Sequence, residues 1–315
     1  MADQNLIAYL YPDGITKSVD NAMLTIRMTE NESRRIEPLM EDRSRRSSQA
    51  PEDEVSNYDD DNDDDDDNGY YDQESDEVSK TPNNDYSPGL QLRFDDLRKN
   101  GVGFVFGTSR NCDIVLPKRD SLDGIASRLC AITFDDQGRL ILRDLQDRKR
   151  KKGGTAVTYK GKGGHKRRNF TWILSGDEFT RNHAPIVIAL HDNLRFQIVV
   201  VQHDIHSALY QENVAQFRHR VDTSVNGLSF SGLGFQSLDS TAAPSGAQTP
   251  STDAILLNNG ELGRGAQAVV TRVWDVSTGL EYASKEPLKE KFHKRLMREV
   301  NLLKQISHVS RSCVL

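Results

Sequence analysis

The stretch "IASRLCAITFDDQGRLILRDL", residues 125–145, sets two short apolar runs, "CAITF" and "RLILRDL", on either side of "DDQG". Gly138 can take the positive φ that a tight reversal demands, so the stretch reads as a β-hairpin. The same texture extends outward from Gln91 to about Val201. "LQLRF", "GFVFG" and "CDIVL" precede the hairpin, and "TAVTY", "FTWIL", "PIVIAL" and "RFQIVVV" follow it. Nine candidate strands separated by Gly, Asn or Asp predict one compact all-β sandwich over residues 89–203, expected to fold alone as an isolated fragment 88–203.

The flanks differ in kind. Residues 1–88 carry "LIAYLYP" and "NAMLTIRM", then "ESRRIEPLMEDRSRRSSQAPEDE" and an acidic run over 52–76 centred on "DDDNDDDDDN". Such a composition cannot bury enough apolar surface to fold alone, so a disordered arm is expected. Ala22, Leu24, Ile26 and Met28 alternate with Met23, Thr25 and Arg27 at strand period, which leaves open a short hairpin docked on the sandwich. Residues 204–252, ending "SFSGLGFQSLDSTAAPSGAQTPST", read as a flexible linker. Beyond it, "AILLNNGEL", "AVVTRVWD" and "LEYASKEP" predict three strands, and "KEKFHKRLMREVNLLKQISH" a helix with Phe292, Leu296, Val300 and Leu303 on one apolar stripe. Residues 253–308 form this unit, and 309–315 an atypical tail.

Bulk properties agree with a partly unfolded chain. Among 315 residues the hydrophobic fraction is 36%, and the mean hydropathy is -0.64, low for a fully folded chain. The net charge of -6 hides a segregation: acid lies at 52–76, while bases cluster at 148–168 in "RKRKK" and "KGKGGHKRR". Those basic runs lack interleaved aromatics for stacking on bases, so nucleic acid is not the expected partner; a solvated loop or a nuclear-import signal is, with the nucleus favoured over the cytoplasm. Cys112, Cys130 and Cys313 are odd in number and unpaired in spacing, which suits a reducing compartment without disulfides or structural metal. No apolar run is long enough to cross a membrane and the N-terminus has no secretory pattern. "SCVL" puts its cysteine third from the end, one place short of a prenylation motif.

At "FGTSRNCDIVL", the opening hairpin, "GGTAVTYKGKGG" and "WILSGDEF", the sandwich resembles a forkhead-associated domain, a phosphothreonine-reading fold. The resemblance implies a phosphopeptide site of loop residues: an Arg after the first glycine, a Ser in S-x-x-H, and a supporting N-G-T turn. A phosphate dianion wants guanidinium, hydroxyl and backbone N–H donors converging from rigid strands. The sequence departs from that pattern three times. Thr108 follows Gly107 where Arg is expected, Cys130 takes the His position, and the turn is Gly153-Gly154-Thr155. Loss of the Arg alone would cost about one to two decades of affinity. Ser127 is kept, and Arg110 and Arg128 stand close by, so the implied set is Arg110, Ser127, Arg128, Gly154 and Thr155. A remade phosphate pocket and a sandwich kept for docking after pocket decay both remain open. Cys112 and Cys130 read as small apolar core residues, as does Trp172.

"ELGRGAQAVVTRVWDVSTGLEYASKEP", residues 261–287, matches G-x-G-x-x-G-x-V with Ala268 in place of the third glycine. The glycines sit between two strands, unlike a dinucleotide-binding fingerprint, where they open a helix. With Lys285 in "EYASKEP" and Glu299 in "MREVNLLKQISH", the segment resembles the N-lobe of a serine/threonine protein kinase. That resemblance implies ATP with magnesium at Leu262, Gly263, Gly265, Ala268, Val270, Lys285 and Glu299: glycines let the backbone approach the phosphates, Lys285 neutralises them, and Glu299 holds Lys285. Neither H-R-D-L-x-x-x-N nor D-F-G occurs, so catalytic base and magnesium ligands are absent from these 315 residues. No catalytic residue is assigned, and no phosphoryl transfer is expected of the chain as given. An isolated lobe would also expose its apolar surface and be unstable. A truncated product or a mispredicted gene end is the corresponding expectation.

The fold class expected is thus an all-β forkhead-associated sandwich plus a partial α+β kinase N-lobe of three strands and one helix, with long disordered segments. Domain order resembles that of checkpoint-type serine/threonine kinases of a fungal type. This implies phosphorylated proteins or peptides and ATP as partners, and no membrane. The other reading is a non-catalytic binding module acting through the sandwich alone. "RSRRSS", Ser48-Gln49, Thr81-Pro82, Ser87-Pro88 and Thr249-Pro250 are candidate modification sites.

Overall fold

The hairpin centred on Gly138 forms, with φ +74° at that glycine and Asp135 Oδ1 accepting from the backbone N–H groups of Gln137 and Arg139. The computed structural model describes residues 3–37, 88–146, 153–219 and 254–305. The elements of the first part are β1 (Leu6–Asp13), α1 (Thr16–Arg27), a 3-10 turn (Thr29–Arg34) and β2 (Arg35–Ile36). Next come β3 (Gly89–Arg93), β4 (Phe104–Gly107), β5 (Ile114–Val115), β6 (Cys130–Phe134) and β7 (Leu140–Asp144). They are followed by β8 (Ala156–Tyr159), β9 (Lys162–Gly163), β10 (Thr171–Ile173), α2 (Glu178–Asn182), β11 (Ile186–His191), β12 (Leu194–Val200) and α3 (Ala208–His219). The last part holds β13 (Leu256–Arg264), β14 (Ala268–Asp275), β15 (Glu281–Pro287) and α4 (His293–Gln305).

Two sheets face each other, a seven-stranded one ordered β2-β3-β1-β12-β11-β8-β9 and a five-stranded one ordered β10-β7-β6-β4-β5. Alternation explains their inner faces. Ile186, Ile188 and Leu190 point inward from β11, and Leu140 and Leu142 from β7, into one continuous apolar core. Each candidate strand read between Gln91 and Val201 lies in one of these sheets.

The N-terminal arm departs from expectation over residues 3–36. β1 lies between β3 and β12 and pairs antiparallel with both, in the interior of the seven-stranded sheet. The segment read as a strand at 22–28 is helical, in α1, and docks on the sandwich. Its buried face is Ser18, Asn21, Ala22, Thr25 and Ile26. Three of these five are polar and each is satisfied: Ser18 Oγ donates to Asp13 O at 2.7 Å, Asn21 Nδ2 to Asn193 O at 2.9 Å, and Thr25 Oγ1 to Asn21 O at 2.8 Å. Asn31 continues the edge of the other sheet as a strand residue would. It donates to Val115 O and accepts from Val115 N, both at 2.9 Å. A fragment 88–203 therefore lacks a central strand, and it is not expected to fold alone. The acidic run 52–76, the basic run 148–152, the modification motifs before Pro88 and at 249–250, and the tail 309–315 lie outside the described residues.

The linker also departs from expectation at its start. α3 buries Tyr210, Val214 and Phe217 against the sandwich. The guanidinium of fully buried Arg98 lies 3.8 Å from the Phe217 ring centroid, a cation–π contact strengthened by its desolvation.

The three-stranded sheet of β13, β14 and β15 does not stand apart. Ile255, Leu257, Trp274 and Val276 belong to the same apolar cluster as the sandwich core. The indole of Trp274, fully buried, stacks on Phe179 at 4.2 Å with 10° between planes and meets the edge of Tyr159 at 5.5 Å. Its Nε1–H donates to Asp177 Oδ2 at 3.2 Å, while Asp177 Oδ1 caps α2 by accepting from Phe179 N. Ile173 N donates to Val276 O at 2.9 Å, and Arg139 Nη1 to Thr278 O at 3.1 Å. The sandwich thus covers part of the lobe, while Leu262, Leu280, Leu288, Met297 and Leu302 keep the apolar exposure expected of it.

Candidate functional site

The loops that would meet a phosphate are built from a close backbone approach. A Cβ on Gly107 would stand 2.1 Å from Ser127 O, so only glycine fits there. Past it, Thr108 N donates to Ala126 O at 3.2 Å and Ser109 N to Ser127 O at 3.1 Å, which lays the 107–112 loop along the 123–129 loop. Ser127 is exposed and Arg128 half-buried on this rim, and among the described residues Arg128 Nε is buried without a hydrogen-bond partner. Arg110 projects into solvent at the tip, its side chain 90% exposed and its Nε 3.8 Å from Glu30 Oε1.

Gly154 and Thr155 lie beneath the rim instead of on it. Both are buried, and Thr155 gives its backbone N–H and its hydroxyl to Asp144 Oδ2, each at 3.1 Å. Asp144 also accepts from Gln146 N at 2.8 Å and from Asn169 N at 3.1 Å. One buried carboxylate thus ties three loops, and burial pushes its carboxyl above the usual range against these hydrogen bonds. Asp144→Asn places an amide N–H₂ among donors and is expected to destabilise the sandwich by about 3 kcal/mol in a urea melt.

The sequence reading missed three supports of this rim. Lys99 Nζ donates to Arg110 O at 3.0 Å and Cys112 O at 2.9 Å, holding the 109–113 turn. Asp113, fully buried, accepts from Lys99 N at 2.7 Å and Val105 N at 3.0 Å. Arg168 Nη2 donates to Gly153 O at 3.2 Å, and Arg167 pairs with Thr155 through the backbone, so these two residues flank the turn. A signal for the acids was present: Asp144 falls in the inward register of Leu140 and Leu142, where a charge needs a task.

Cys112 and Cys130 lie in the core, as read from the sequence. Both are buried; Cys112 Sγ donates to Ser127 O at 3.1 Å, and burial pushes its thiol up to about 11. Cys130, in β6 opposite Phe106 and Asp144, also has its thiol raised by burial. A side chain pointing into the core cannot do what a rim histidine would.

The second constellation lies on the three-stranded sheet. Gly263 is opposite Val270 across β13 and β14, and Val270 is opposite Lys285 across β14 and β15. Directly opposed residues share a face, so the glycine, the valine and the lysine stand in one row. Gly265 N closes the hairpin on Ala268 O at 2.9 Å, and open space surrounds Gly263 where a Cβ would be. Lys285 Nζ lies 2.8 Å from both Oε1 and Oε2 of Glu299 on α4. Both side chains are partly exposed, at 39% and 50%, so the pair faces an accessible surface. Leu262 is exposed beside it. α4 buries Leu296 and Val300, while the side chain of Leu303 lies outside the described residues. No helix among the described residues is long and apolar enough to cross a membrane, and none of their His, Cys, Asp and Glu clusters could hold a metal.

Neither the known protein families nor the curated proteins contain a match to this chain. Among solved structures it is similar to one described as Rad53 1-466 in complex with AMP-PNP, with 17% identity, a TM-score of 0.30 and 70% of this chain covered; the chain spans 46% of that relative's length.

Proposed function

We propose that this chain couples a forkhead-associated type sandwich, which reads phosphorylated peptides, to a nucleotide-binding half-lobe of the serine/threonine kinase type. The proposed bounds are 89–203 for the sandwich and 253–308 for the half-lobe, with residues 3–36 and α3 as parts of the sandwich. The observation that carries the reading is the Lys285–Glu299 pair, with Lys285 in one row with Val270 and Gly263. A lysine held by a carboxylate beside an open glycine hairpin is placed to meet the phosphates of ATP. Leu262, Gly265 and Ala268 complete the hairpin. Magnesium, when bound, would supply charge neutralisation for the phosphates; the described residues offer it no carboxylate cluster. On the sandwich, Ser127, Arg128 and Arg110 supply the anion donors, with Arg167 and Arg168 beside them. Gly154 and Thr155 hold the turn through Asp144.

Two titrations of the whole chain test this. A non-hydrolysable ATP analogue is expected to bind, and Lys285→Met to weaken it by at least about 10-fold, since a charged hydrogen bond is worth roughly 1.5 to 3 kcal/mol. A phosphothreonine peptide is expected to bind more tightly than its unmodified twin, and Ser127→Ala to remove the difference. Nucleotide affinity indifferent to Lys285→Met would overturn the half-lobe and leave a binding module. Equal affinity for both peptides would overturn the phosphate pocket.

A further inference from the structure

At the end of the sandwich away from the phosphate rim lies a cavity of about 360 Å³ that neither proposed site uses. The rim is met at Cys130, where β6 begins, whereas the cavity is met at Phe134, where β6 ends. Its floor is apolar and aromatic: Phe94 and Phe134 stack at 5.5 Å, and Tyr210 from α3 stands edge-on to both, at 5.9 and 6.2 Å. Ile7 and Leu140 complete it. The Tyr210 hydroxyl is spent on Gly138 O at 2.7 Å, so the ring offers the cavity an apolar face.

Arg181, His203, Asp204 and His206 also line the cavity. Most of these groups already have work. His203 Nε2 lies 2.7 Å from Leu6 O, and Asp204 Oδ1 accepts from His206 N at 3.0 Å in a turn. Arg181 closes α2, and its guanidinium makes no hydrogen bond or ion pair among the described residues. Sites for small ligands are commonly of this size, mostly apolar, with few polar groups that fix orientation. A free guanidinium beside an aromatic floor selects a planar apolar body with one negative end.

We propose that this cavity binds a small aromatic acid, its rings against Phe94, Phe134 and Tyr210 and its carboxylate on Arg181. A neutral ring system would gain the floor but not the guanidinium, and a simple carboxylate the reverse. Discrimination therefore rests on both ends of the ligand together.

The experiment titrates the whole chain with 1-naphthoic acid, 1-naphthamide and acetate by calorimetry. The acid is expected to bind about 10-fold more tightly than the amide, and acetate not measurably. Arg181→Gln, an exposed position that leaves the fold intact, is expected to erase the preference for acid over amide. Ser175→Phe, which fills the cavity from a half-buried wall, is expected to abolish binding of both while the circular dichroism stays unchanged. No binding of the acid at millimolar concentration, equal binding of acid and amide, or binding untouched by both substitutions would each overturn the proposal.

Discussion

A chain that begins at residue 88 and ends at 219 is expected not to fold, whereas residues 1–219 melt as one cooperative unit. β1 is hydrogen-bonded on both sides, to β3 and to β12, so its removal opens two ladders in the interior of a sheet. It also strips Ile7 and Leu10 from the core, and Ile26 leaves with α1. Three large side chains at about 2 to 3 kcal/mol each amount to roughly 6 to 9 kcal/mol, comparable to the whole stability of an ordinary domain, about 5 to 15 kcal/mol. Asn31 and Arg34 add to this, since Arg34 donates to Asp113 O and Leu97 O and lies 3.5 Å from Asp96. Circular dichroism and amide NMR spectra of the two fragments decide the matter. A dispersed spectrum and a sharp melt from 88–219 alone would show that β1 only decorates the sheet.

Trp274→Ala is expected to release the three-stranded sheet from the sandwich while the sandwich stays folded. The substitution removes the stack on Phe179, the edge contact with Tyr159 and the hydrogen bond to Asp177 together. Large-to-small changes of a fully buried aromatic cost about 3 to 5 kcal/mol, which is roughly two to four decades in an opening equilibrium. Hydrogen exchange should therefore speed up by that factor across β13, β14 and β15 and hardly at all in β11 and β12. Trp274→Phe keeps a ring on Phe179 and should fall between the two. Protection unchanged in Trp274→Ala would mean that the backbone link from Ile173 to Val276 and the remaining contacts suffice.

Much of the architecture could be read without tertiary information because it is written in local periodicity. Strand alternation and turn glycines marked the sheets between Gln91 and Val201, and the resemblance to a kinase N-lobe implied that Lys285 and Glu299 would meet. Both signals need only residues within a few positions of each other, or elements adjacent in the chain. β1 could not be read this way. Its partners Gln91 and Val199 lie far along the chain from Tyr9, and strand preference depends on those neighbours more than on the strand itself. The buried face of α1 stayed hidden for a different reason: Ser18, Asn21 and Thr25 are polar, and only the hydrogen-bond partners that the fold brings to them make their burial affordable. α3 did carry a stripe, Tyr210, Val214 and Phe217, masked by the composition of the segment around it. What the sequence determined by itself was the local form of most strands. Only the tertiary structure decided that residues 3–36 complete the sandwich, that Thr155 lies beneath the rim, and that Trp274 joins the two parts into one core, because each depends on which distant surfaces share a desolvated space.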